Sequence, residues 1–107
     1  METIKICEET PYAIQKVGIE LEKLRESWLL SEAHYENEEG KKEISLKAEF
    51  SDLKATEIKS RIKADDELYK MRLAVIVAES KYRVKDKEYD FLKEELNAAK
   101  AILKAGG

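Results

Sequence analysis

From Ile14 onward the apolar residues advance by steps of three and four, through Ile14, Val17, Leu21, Leu24 and Trp28, with Ser31 and Tyr35 continuing the series. That spacing holds them on one side of an α-helix, at the a and d places of a heptad. Thr10-Pro11 supplies a start signal, because a threonine hydroxyl can cap first-turn amides and proline fits the first helical place. The stretch Glu36-Asn37-Glu38-Glu39-Gly40 ends the pattern, since glycine can take the left-handed conformation that closes helices. The chain therefore reads as a tail over residues 1–10, a first helix over residues 11–38 and a turn-back near Glu39–Lys41.

Residues 44–50 fit two periods: Ile44, Leu46, Ala48 and Phe50 alternate as in a strand, while Leu46, Phe50 and Leu53 match helical spacing. A lone strand would lack a partner, and Ala55, Ile58 and Ile62 continue helically, so a second helix is expected over residues 42–64. Asp65-Asp66-Glu67 suits the first turn of a new helix, which places a kink near residue 65. Beyond it, over residues 66–105, runs a third helix or a continuation of the second. Leu68, Val75, Tyr82, Tyr89, Leu96 and Leu103 recur at intervals of seven, with Met71, Ala78, Lys85, Leu92 and Ala99 three residues after the first five.

Within that series Leu73-Ala74-Val75-Ile76-Val77-Ala78 is apolar on every side; its β-branched Val-Ile-Val would also suit a buried strand, but the heptads hold their phase on both sides, which favours a helix buried among several neighbours. A single helix over residues 43–104 would span roughly 90 Å, more than a first helix ending at residue 38 can cover. Its seam is thus expected to face other copies, through Leu68, Met71, Val75, Ala78, Tyr82, Tyr89, Leu92, Leu96 and Leu103. The expected fold is all-α, a single domain built as a helical hairpin with a long C-terminal coiled-coil arm, assembling as an oligomeric helical bundle.

Composition narrows the class further. Glycine and proline total five in 107 residues, none of them between Gly40 and Gly106, so the turns of an all-β or α/β fold are missing. That excludes most enzyme scaffolds. The net charge of −3 argues against coating of phosphate backbones, yet it is unevenly spread: residues 1–52 carry 13 acidic and 7 basic groups, residues 53–107 carry 10 and 13. An acidic helix packed near a basic one accounts for this; a basic face for nucleic acid is the competing reading. Cys7 is the one cysteine, no apolar stretch approaches the roughly 20 residues that cross a bilayer, and the N-terminus lacks the features of a secretory signal, so a reducing cytoplasm and no membrane contact are expected.

Few residues suggest chemistry. His34 and Glu38 share a helical face, but two ligands are too few for zinc, and neither a metal nor a cofactor is expected. No nucleophile elbow or phosphate-cradling glycine loop occurs, so no catalytic residue and no small-molecule substrate are assigned. Lys81, Arg83, Lys85 and Lys87, with Tyr82 among them, are the candidate nucleic-acid contacts, and Lys54, Lys59, Arg61 and Lys63 could extend them. Tyr82 and Tyr89 fall on the seam, however, where lysine stems would flank a core. Trp28, Leu29 and Leu30, of which only the first lies on the seam, read first as a wide core face and alternatively as an anchor for a partner protein.

The stretch from Met71 through Lys81-Tyr82-Arg83 to Leu96-Asn97-Ala98-Ala99-Lys100-Ala101 resembles small helical proteins of Gram-positive phages and prophages, over about the last 40 residues. Such proteins often lie among early genes for DNA replication and recombination. The resemblance implies an accessory or host-directed role and names no residues. The leading expectation is a non-enzymatic interaction protein that oligomerises and binds a DNA-metabolism protein or a host factor. A nucleic-acid-binding accessory using the basic arm and a purely structural oligomerisation scaffold are the alternatives.

Overall fold

The computed structural model describes residues 2–106, which form three helices, α1 (Glu2–Glu49), α2 (Ala55–Ala64) and α3 (Asp66–Gly106), with no strand among the described residues. The class is all-α, as the heptads indicate. Residues 44–49 are helical, and the chain breaks at Asp65, where the three adjacent acids predict a kink.

The first helix is far longer than residues 11–38. At its N-terminal end the expected tail is helical, and Pro11 lies inside α1 on the exposed side. The seam runs back from Ile14 through Thr10, Cys7 and Thr3, the first buried and the other two half-buried. At its other end α1 passes through Gly40 without a turn, and no described residue has a positive φ. Strong helix formers surround Gly40. Lys41 Nζ reaches Glu38 at 3.3 Å and Lys47 Nζ reaches Glu43 at 3.1 Å, both along the helix. Packing of Leu46 outweighs the glycine's cost of about 1 kcal/mol, because burial of one leucine contributes roughly 1.5–3 kcal/mol.

The turn-back comes at residues 50–54 instead of Glu39–Lys41. Ser51 and Asp52 are turn formers, and the Leu53 amide donates to the Phe50 carbonyl at 3.2 Å. The second helix accordingly starts at Ala55, not at residue 42. Asp65 then serves both neighbours: its amide donates to the Ile62 carbonyl at 3.2 Å, while its carboxylate accepts from the Leu68 amide at 2.9 Å. That second bond caps α3 and is the main reason the Asp65 carboxyl is held below its usual pKa; Lys42 Nζ, 3.3 Å away, adds to the effect against the opposing influence of burial.

The helices pack as two compact units. One joins the part of α1 up to Arg25 to the part of α3 from Ser80 onward; the other comprises Glu26–Glu79. In the first, Val17 and Leu21 of α1 are buried along with Leu96 and Ala99 of α3. The Lys85 ammonium meets Glu20 at 3.0 Å, and a Cβ at Gly18 would lie 3.5 Å from the Tyr89 ring. As α1 is followed backward from Glu20 to Gly18, its neighbour on α3 moves forward from Lys85 to Tyr89, so the two segments are antiparallel. In the second unit each helix gives one buried aliphatic residue to a small core, Leu46, Ile58 and Leu68.

The α3 seam is therefore covered within one chain, which corrects the expectation that it is left for other copies. Leu68 and Leu96 are buried, Met71, Val75, Ala78, Tyr82, Tyr89 and Leu92 are half-buried, and Leu103 alone of the nine is exposed. The cause is the length of α1, which reaches beyond residues 11–38 at both ends and supplies the missing cover.

Both internal glycines of α1 test this continuity. An alanine methyl at Gly18 meets Tyr89 at ordinary contact distance and at Gly40 meets nothing within 4 Å. Gly18→Ala and Gly40→Ala should each stabilise the fold by about 0.5–1 kcal/mol in thermal unfolding. A lowered melting temperature for Gly40→Ala is what a left-handed turn at this position would give, and it would contradict a continuous α1.

Candidate functional site

Two surfaces of the Glu26–Glu79 unit stand out. The first is a groove of about 420 Å³ among α1, α2 and the start of α3. Ala55, Ile58 and Ile62 of α2 form its apolar floor, Tyr35, Glu39, Glu43 and Lys47 line the α1 side, and Lys59, Lys63 and Arg72 complete the rim. Residues four apart share a helical face, which is why Glu39 and Glu43 stand on one wall and Lys59 and Lys63 on another. The walls differ in how far their charges are satisfied. The Tyr35 hydroxyl donates to Glu39 at 2.6 Å, and Lys47 lies 3.1 Å from Glu43. No ion pair among the described residues reaches Lys59 or Lys63. Arg72 stands over the Tyr69 ring, 5.5 Å from its centre.

The second surface is the outward face at the start of α3. Tyr69, Leu73, Ile76 and Val77 follow helical steps away from the seam and are 50%, 41%, 52% and 52% exposed. The sequence pattern places the run Leu73–Ala78 among neighbours on all sides. In the structure only Val75 and Ala78 of that run are half-buried; the other four residues face outward. An apolar run of this kind has half of its surface uncovered.

The remaining sequence candidates lie elsewhere. Trp28 is half-buried on the α1 seam, while Leu29 and Leu30 are 46% and 71% exposed, so the first faces the seam and the other two face away from it. Lys81, Arg83 and Lys87 are exposed, but Lys85 is half-buried, 3.0 Å from both Glu20 and Glu88. Those two carboxylates, Glu88 foremost, raise the Lys85 pKa, and the Lys85 hydrogen bond lowers that of Glu20. Helical residues two apart diverge by about 200°, so the four cations do not share a face, and the charge of Lys85 is already compensated. Arg61 of the second basic cluster stands over the Phe50 ring, 4.4 Å from its centre.

His34 is exposed, and among the described residues no group of three or more His, Cys, Asp or Glu gathers as metal ligands. No helix among them is long and apolar enough to cross a membrane. No protein-family model, curated protein or solved structure matches the chain.

Sequence reasoning missed the groove, because its walls come from positions brought together only by the turn at residues 50–54. A signal was present in the Glu39/Glu43 and Lys59/Lys63 pairs, each one helical turn apart and of opposite sign.

The groove contains a titration that reports on its geometry. The Tyr35 phenol is held above the usual tyrosine pKa, chiefly by donating to Glu39 and then by burial, with Arg72 opposing. Stability from this bond is complete below the ordinary tyrosine range and is lost as pH rises through the raised pKa. Glu39→Gln should return the Tyr35 titration toward the ordinary value, followed by NMR of ring-labelled tyrosine. An unchanged titration in that variant would refute the assigned hydrogen bond.

Proposed function

We propose that this chain is a non-enzymatic helical interaction protein, phage-encoded, that assembles and binds a DNA-metabolism protein or a host factor. The observation that carries the reading is the uncovered apolar face of Tyr69, Leu73, Ile76 and Val77 on a helix whose other side is already packed. Scattered exposed apolar residues are ordinary on soluble proteins, but contiguous ones on one rigid helical face mark a place for another protein. Association there gains from preorganisation, since α3 is already folded and capped before the partner arrives.

The triple variant Leu73→Gln, Ile76→Gln and Val77→Gln keeps good helix formers at exposed positions, so its melting temperature should stay within a few degrees of the parent. Sedimentation velocity and capture from an extract of a Gram-positive bacterium should show that the parent self-associates or retains host proteins and that the variant loses this. The reading is wrong if both chains behave alike in the two measurements.

A further inference from the structure

The groove and the exposed α3 face are different surfaces, and the groove's charges specify its occupant more closely. We propose that it receives an acidic amphipathic helix from a partner protein, with apolar side chains on Ala55, Ile58 and Ile62 and carboxylates toward Lys59 and Lys63. This extends the proposed interaction role and shares its premise that the chain binds protein.

The observations agree on such a guest. A floor of three apolar side chains in a space of about 420 Å³ has room for two or three leucine-sized side chains. Lys59 and Lys63 lie one turn apart on α2, roughly 6 Å along its axis, too far apart for both to hold one carboxylate well. Two carboxylates one turn apart on a guest helix match that spacing, in the way helix-in-groove recognition combines a few apolar anchors with flanking charges. The α1 wall does not compete for these lysines within the chain: Glu43 is engaged by Lys47, and Glu39 accepts the Tyr35 hydroxyl. The same wall disfavours an acidic flank on its side and so fixes which edge of the guest faces α2. Arg72, at the α3 end of the groove, adds a further positive group.

The test uses the full chain and two fluorescein-labelled synthetic helical peptides of about four turns, with identical leucine stripes. One carries glutamates one turn apart along a single flank; the other has lysines at those places. Fluorescence anisotropy should show the glutamate peptide binding the parent at least tenfold more tightly than the lysine peptide, with affinity falling steeply as salt is raised. Lys59→Glu with Lys63→Glu should reverse that preference. Lys59→Gln with Lys63→Gln should abolish it, which keeps the test decisive if the first pair disturbs α2. The Leu73, Ile76 and Val77 triple variant should bind the glutamate peptide like the parent, which separates the groove from the α3 face. Absence of binding to the parent, equal binding of the two peptides, or indifference to the glutamine pair would each overturn the proposal.

Discussion

The pairing of α1 with α3 inside one chain is the constraint on which the remaining structure depends. No described residue is fully buried. In the unit up to Arg25 and from Ser80 the buried residues are Thr10, Val17 and Leu21 of α1 and Leu96 and Ala99 of α3. The Tyr89 ring lies beside Gly18 at a distance that leaves room for a methyl group, and Lys85 joins the helices through Glu20. The Glu26–Glu79 unit adds a third helix, which allows a core with one buried aliphatic residue from each element.

The proposed interactions rest on surfaces that the pairing leaves open. The α3 seam packs against the chain itself, and the two surfaces of the Glu26–Glu79 unit that stand out beside it are the outward face of α3 and the groove beside α2. Each arises from a local device. The first exists because the run Leu73–Ala78 is apolar around its whole circumference while α1 and α2 leave its outer half open. The second exists because the turn at residues 50–54 brings α2 back beside α1, setting the unmatched lysines of one across from the glutamates of the other.

The heptads and the break at Asp65 were legible in the sequence because each rests on a strong local signal, a period in one case and three adjacent acids in the other. The ends of α1 were not. Thr3, Cys7 and Thr10 hold seam positions without being large and apolar, so a search for hydrophobic periodicity passes over them. Gly40 resembles a helix stop, but its preference is worth only about 1 kcal/mol and gives way to the buried Leu46 six residues on. Misplacing that end shortened α1 and made the α3 seam look unpartnered. Ser51-Asp52, the true turn signal, lies in a stretch whose neighbours read as helix. The groove was less accessible still, since it depends on that turn and on charges from separate helices.

Whether α1 and α3 pair within a chain or between chains is settled most directly by zero-length carbodiimide coupling of Glu20 to Lys85, which lie 3.0 Å apart. The chain would be prepared in natural-abundance and fully nitrogen-15-labelled forms, unfolded together, refolded as an equimolar mixture, cross-linked and digested for mass spectrometry. Intrachain pairing predicts that every Glu20–Lys85 cross-linked peptide carries one isotope throughout. If about half of those peptides joined a light half to a heavy half, α3 would be covered by another copy, and a seam closed within one chain would be contradicted.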